Sequence, residues 1–217
     1  MICYLPSCSF TALCPKTTEA VKAYFKEKED VTVGVCCRPM QKKMTKGDTA
    51  LTICRSCAAI TREASPEVTE RNVFSYLLED PDFVWPDHKG EAITLQDCWR
   101  ARKDPALHEA VRECLRRMNF QIVEMAENRQ NCDFDGTWRF KTVEKRNLDI
   151  APVYFREVGD RYTEVLSEEE KLARMQAHAA LYETERVTCY CNSCLKGIRL
   201  GGAKGVHLMS LIMDIDE

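Results

Sequence analysis

The sequence predicts an α/β fold of two pseudo-repeated halves, with short parallel strands, crossover helices and cysteines at the carboxyl ends of the strands. Three observations carry this expectation. Short apolar runs alternate with segments of 3.6-residue helical periodicity. The same order of run, helix, run and cysteine motif occurs twice, once from Ile2 and once from Ala92. The 13 cysteines gather at the ends of the runs rather than spreading evenly along the 217 residues.

In the first half, 1–64, Ile2 to Leu5 is an apolar run leading to Cys8. Thr17 to Glu29 then sets Val21, Tyr24 and Phe25 on one helical face. Val31 to Val35 is the second strand and leads to Cys36 and Cys37, while Leu51 to Cys54 is the third and enters Cys54-x-x-Cys57. The stretch 65–92 contains no cysteine and reads as a connecting helix and loop. Ser65-Pro66-Glu67 places proline in a first turn, Val68, Val73, Phe74, Leu77 and Leu78 follow, and Pro81 to Gly90 is rich in turn formers.

The second half, 93–217, repeats this grammar. Ala92 to Gln96 leads to Cys98, and Pro105 to Met118 aligns Leu107, Val111, Cys114, Leu115 and Met118 on one face. Phe120 to Met125 is the second strand and precedes Cys132; Val187 to Cys191 is the third and enters Cys191-x-x-Cys194. An insertion at about 137–185 includes a helix opened by Ser167-Glu-Glu-Glu, a capping-box pattern. Gly201 to Gly205 reads as a turn before a last helix, Val206 to Met213.

Composition narrows the function classes. Hydrophobic residues at 45% and charged residues at 30% describe a globular chain, and a net charge of −3 shows no basic excess for nucleic acid. Apolar stretches such as Val206 to Met213 fall short of the roughly 20 residues that cross a bilayer, so no transmembrane segment is expected. The start, Met1 to Cys8, lacks a basic region, an apolar core and a cleavage site, which points to the cytoplasm. Thiols stay free there, and cysteine this abundant points to metal or redox chemistry.

Loops after the strands form the ligand crevice in open α/β sheets. In the first half Cys8, Cys36, Cys37, Cys54 and Cys57 would converge there, five thiols where zinc takes four. An iron–sulfur cluster is the better match. Cys54-x-x-Cys57 enters a helix N-terminus, where backbone N–H groups and the dipole favour the ligating thiolate.

The order Cys8, Cys36-Cys37, Cys54-x-x-Cys57, complete once and reduced a second time, resembles the cysteine-rich CCG domain of heterodisulfide reductase and related iron–sulfur oxidoreductase subunits. The resemblance covers nearly the whole chain. Leu95-Gln-Asp-Cys98 is similar to that family's aspartate-proline-cysteine segment, and Glu124 to Arg129 resembles the stretch before its second cysteine pair. It implies a non-cubane 4Fe–4S cluster per complete motif, electrons supplied by a redox partner protein, and a disulfide or thiol as substrate. Residue by residue, it implies a first site of Cys8, Cys36, Cys37, Cys54 and Cys57, and a second of Cys98, Cys132, Cys191 and Cys194. The sequence departs from the pattern where Arg38 replaces a glycine after the pair, where the gap from Cys37 to Cys54 is short, and where Asn131-Cys132-Asp133 stands for a cysteine pair. The four thiols of the second set leave open an ordinary cluster, a zinc ion or nothing. A zinc-binding or cluster-free scaffold that retains the fold is the alternative, and a thiol switch using Cys36, Cys37 or a C-x-x-C pair is a third reading.

The remaining candidates are weaker. Cys3 and Cys114 fall in apolar patterns and read as packing, while Cys14 and Cys189 lie near the sites but outside the motif. His88, His108, His178 and His207 have no second histidine at metal-binding spacing and read as packing or surface, although His108 can face the crevice of Cys98. Arg38, Lys42, Lys43 and Lys46 form either a solvated loop or a surface for an acidic electron-transfer partner. No catalytic acid–base pair is legible.

Overall fold

The computed structural model describes residues 1–161 and 165–217. The chain forms two compact units, the first from 1–82, 143–160 and 217, the second from 83–142 and 161–216.

The first unit contains β1 (Ile2–Leu5), α1 (Cys8–Leu13), α2 (Pro15–Lys26), β2 (Val31–Val33), α3 (Cys37–Met40), β3 (Thr49–Thr52), α4 (Arg55–Ala64), β4 (Thr69–Asn72) and α5 (Val73–Glu79). In the second, β5 (Ala92–Leu95) is followed by a 3-10 turn at Trp99–Ala101, α6 (Pro105–Arg117) and β6 (Gln121–Glu124). Two further helices, α7 (Lys145–Leu148) and α8 (Pro152–Arg161), belong to the first unit up to residue 160, and the second unit continues with α9 (Glu168–Ala179), β7 (Arg186–Cys189), α10 (Asn192–Leu200), β8 (Lys204–His207) and α11 (Leu208–Ile212).

Each unit holds a four-stranded, all-parallel sheet, ordered β2-β1-β3-β4 in one and β6-β5-β7-β8 in the other. The two-halves expectation is therefore met. The registers also correspond: Ile2 stands opposite Val31, and Ala92 opposite Gln121. Burial follows sheet position except in β8, an edge strand whose last three residues are also buried. The inner strands β1, β3, β5 and β7 are buried over their last three residues, whereas the edge strands β4 and β6 have none fully buried.

Local chemistry explains the helices. Pro15 starts α2, which buries Val21 and Phe25; the Phe25 ring stacks on Tyr4 of β1 at 4.5 Å. Burying a side chain such as Phe25 is worth about 1.5–3 kcal/mol. Asp104 caps α6 by accepting from the Leu107 N–H at 3.1 Å, and Val111, Cys114 and Leu115 are buried beneath it. The capping box expected at Ser167 is formed with Glu170.

Both halves end differently from the sequence expectation. The stretch 65–92 is not simply a connecting helix and loop: α4 runs to Ala64, and Thr69–Asn72 then pairs with β3 as the fourth strand. Likewise Val206 to Met213 is not one helix, because Lys204–His207 pairs with β7 and only Leu208–Ile212 is helical. Each missed strand is a four-residue sheet edge, polar in β4 and containing glycine in β8. Such segments lack the alternating apolar pattern that marks a strand. The insertion is also divided, since 143–160 packs into the first unit. There Glu63 accepts the N–H groups of Val153 and Tyr154 at 2.7 and 3.0 Å and caps α8.

The strand order positions the cysteines. In each sheet the chain moves from the first strand outward to the second, then returns to the first strand's other side. The first and third strands are thus neighbours whose connections diverge, which opens a crevice at their carboxyl ends. Cys8 and Cys54 follow β1 and β3, and Cys98 and Cys191 follow β5 and β7.

Candidate metal centre

In the second unit, Cys98 ends the connection from β5 and precedes the 3-10 turn. Cys191 is the N-cap of α10 and Cys194 lies in its first turn. The strand-to-helix geometry turns all three side chains inward. Their sulfurs lie within 4.8 Å of one another, the one such grouping of three or more metal-ligating residues among the described residues. All three are buried, at 0%, 1% and 0% exposure.

The triad is electrically asymmetric. Hydrogen bonds from the thiols of Cys194 and Cys98, together with the Arg100 charge, hold Cys191 well below the usual thiol range. Burial pushes Cys98 and Cys194 up. Arg100 Nη2 donates to Cys191 Sγ at 3.1 Å, and its guanidinium lies 4.5 Å from the Trp138 ring centroid. Cys191 is therefore the member of the group whose thiolate is most favoured, and a metal would bind all three sulfurs as thiolates.

A buried ionic network anchors Cys98. Arg112 grips Asp97 through Nη2 at 2.6 Å and Nη1 at 3.4 Å, and grips Glu124 with two bonds of 2.7 Å. Asp97 also accepts from the Arg129 N–H at 2.8 Å and the Tyr190 hydroxyl at 2.9 Å. The Cys98 N–H in turn donates to the Tyr190 oxygen at 3.3 Å. Burial alone would raise the Asp97 carboxyl; the Arg112 fork, with the other two donors, holds it below its ordinary range.

Cys132, expected in this site, lies outside the triad. Gln96 Nε2 donates to its sulfur at 3.7 Å, and the thiol donates to the Phe134 carbonyl at 3.6 Å. Burial pushes this thiol up to about 12. Gln96 Oε1 meanwhile accepts from His178 Nε2 at 2.7 Å and from the Tyr182 hydroxyl at 3.1 Å. His178 stacks on Phe134 at 4.0 Å, and burial lowers its imidazole to about 4, so the ring is neutral near pH 7. The expected packing role of His178 thus has a partner, Gln96.

Gly136 sets the close approach above the C-x-x-C turn. It has φ +61°, and a Cβ there would lie 1.9 Å from the Ser193 carbonyl oxygen and 2.6 Å from Cys194 Cα.

The first unit brings its cysteines together in a different way. Cys57 hydrogen-bonds with Cys37 and Cys54, which raises Cys57 and lowers Cys37; Cys36 also bonds Cys37. Cys36 is the N-cap of α3 and half-buried, and Cys8 is exposed at the start of α1. Arg38 donates to Asn147 of the segment packed beside it, and Arg146 lies in electrostatic reach of Cys8 and Cys36. Lys42, Lys43 and Lys46 are exposed, as a solvated loop would be.

The spare cysteines are buried. Cys3 and Cys114 have 0% exposure, Cys14 is the N-cap of α2, and the Cys189 thiol donates to the Cys191 carbonyl at 3.6 Å. The sequence alone does not mark Arg100, Asp97, Arg112, Tyr190 or Gln96 as site residues. The spacing Asp97-Cys98-x-Arg100 is the available signal, but the partners of these residues come from distant segments.

The donor set fits a metal. A tetrahedral ion bonded at ~2.3 Å to each sulfur needs sulfurs about 3.8 Å apart, and thiolates are also the ligands of iron–sulfur clusters. No helix among the described residues is long and apolar enough to cross a membrane. Comparison with protein-family models, with curated proteins and with solved structures finds no match for this chain. The buried cysteine triad of Cys98, Cys191 and Cys194 of this α/β chain can therefore hold a metal.

Proposed function

We propose that this chain is a cytoplasmic iron–sulfur redox protein that carries electrons from a partner protein to a disulfide or thiol, as the resemblance to the CCG domain of heterodisulfide reductase implies. The observation that supports it most is the triad: thiols from two separate segments meet within 4.8 Å in the interior, at the point where the strand order reverses. Cys98, Cys191 and Cys194 would hold the cluster there, and the bound group would supply one-electron chemistry. Arg100 offsets thiolate charge, the Asp97–Arg112 network holds the Cys98 backbone, and Gly136 lets the chain pack closely on the Cys191-x-x-Cys194 turn. Cys37, Cys54 and Cys57, with Cys36 and Cys8 beside them, would form a second centre in the first unit.

Anaerobic reconstitution with iron and sulfide tests this reading. Visible charge-transfer absorption with bound iron and sulfide is expected. Cys98→Ser or Cys194→Ser should remove the share belonging to the second unit, and Cys114→Ser should leave it intact. Failure to take up iron and sulfide would overturn the reading.

One observation favours a second reading. Sulfurs within 4.8 Å of one another suit a single ion better than a cluster, whose separate irons hold their thiolates further apart. Zinc near one equivalent, without sulfide, in freshly isolated protein would establish that alternative.

A further inference from the structure

We infer that the second-unit centre is a three-thiolate site with Arg100 set against one of its sulfurs and Cys132 held out of it, so that one coordination position is left for a small soft donor from solution. The inference rests on the metal reading above and deepens it.

Cys132 is occupied on both sides. Its sulfur receives Gln96 Nε2 at 3.7 Å, and its thiol donates to the Phe134 carbonyl at 3.6 Å. Gln96 cannot turn to release it. The amide Nε2 also donates to the Asp97 carbonyl at 2.9 Å, while Oε1 accepts from His178 and Tyr182. A flipped amide would turn its oxygen against the Asp97 carbonyl, acceptor facing acceptor. The Phe134 ring is itself clamped flat on His178 at 4.0 Å and 9°. Moving Cys132 into the triad would break its contacts with Gln96 Nε2 and the Phe134 carbonyl in the interior.

Arg100 places a cation against this group: it is 7% exposed and donates from Nη2 to Cys191 Sγ at 3.1 Å, so the thiolate charge of the triad faces a buried positive charge. Closed four-ligand sites are the structural type of zinc site, whereas three protein ligands leave a position for water or substrate. A soft, sulfur-rich site favours a soft incoming donor such as a small thiol. An iron–sulfur group held by the same three thiolates keeps one iron without a protein sulfur.

Cobalt(II) alone, added to the metal-free full chain, tests this without any activity. The near-ultraviolet thiolate-to-cobalt band counts thiolates, and the visible d–d bands report the fourth ligand. The wild-type chain and Cys132→Ser should give the same charge-transfer intensity and the same affinity, while Cys98→Ser loses one thiolate. Arg100→Met should weaken cobalt binding about tenfold, with partial recovery in Arg100→Lys, as expected when a partner of a ligand is removed. In the unmodified chain, 2-mercaptoethanol should shift the d–d bands, an arm that needs no variant to fold. Cys132→Ser losing a thiolate band, or 2-mercaptoethanol leaving the d–d bands unchanged, would overturn the inference while sparing the metal reading. Failure of the unmodified chain to bind cobalt would overturn both.

Discussion

Asp97→Asn should destabilise the second unit by about 3 kcal/mol and loosen the metal centre at the same time. The magnitude follows from the contacts. Asp97 and Arg112 are 0% and 1% exposed at their side chains, and the pair closes at 2.6 Å with a second bond at 3.4 Å. Removing one partner of a buried ion pair costs about 3–5 kcal/mol, because the surviving charge stays desolvated. Arg112 keeps Glu124 at 2.7 Å, and Glu124 is 31% exposed, which places the expected cost at the lower end. Asparagine also offers a donor where the Arg129 N–H and the Tyr190 hydroxyl need an acceptor. Tyr190 holds the Cys98 N–H, so cobalt or iron affinity should fall with stability. Trp85, Trp99 and Trp138 all lie in this unit, so tryptophan fluorescence during urea unfolding reports on it directly. The sign with pH is fixed. The folded Asp97 carboxyl lies below its ordinary 3.8, so its stabilisation is present above that pH and is lost as pH falls through the folded value. The difference between Asp97→Asn and the parent chain should therefore be full at pH 7 and shrink below about 3.8. A loss under 1 kcal/mol at pH 7, or one that Arg112→Met in the same chain does not reduce, would refute the reasoning.

Gly136→Ala combines a left-handed alanine, about 1–2 kcal/mol, with a Cβ 1.9 Å from the Ser193 oxygen. It should lower the fluorescence-monitored unfolding midpoint and weaken metal uptake, since the turn must lift off Cys194. His178 is buried neutral, so the fold loses stability as pH falls from its ordinary 6.5 towards the folded value of about 4. The loss is about 2 kcal/mol after allowing for partial exposure, and His178→Gln should flatten this part of the stability-against-pH curve. In the first unit, Glu63→Ala removes the acceptor of two N–H groups at the start of α8. Hydrogen exchange of the amides of 143–160 should quicken by about the factor that a ~1 kcal/mol cap implies.

The strands that carry the thiols were legible because each is a short apolar run ending in cysteine. The closing strands β4 and β8 were not, because Thr69-Glu-Arg-Asn72 and Lys204-Gly-Val-His207 owe their conformation to a neighbouring strand rather than to their own pattern. The pattern of cysteines ranked the first set, with five members, above the second, with four. Geometry draws the tightest group from the second set, since Cys98, Cys191 and Cys194 are turned inward under Gly136 while Cys8 is exposed at its helix start.

By itself, the sequence determined the α/β class, the doubled architecture and the placement of cysteine at strand ends, because hydrophobic period and motif spacing are local properties of the chain. Only the tertiary structure decided which thiols share a centre. Cys132 is withheld by Gln96 and Phe134, Cys191 receives a hydrogen bond from Arg100, and Cys98 is anchored through Tyr190 and Asp97 to Arg112. These partners are separated by up to 93 residues, and their effect depends on burial and on the direction of individual donors, quantities that exist only once the chain has folded.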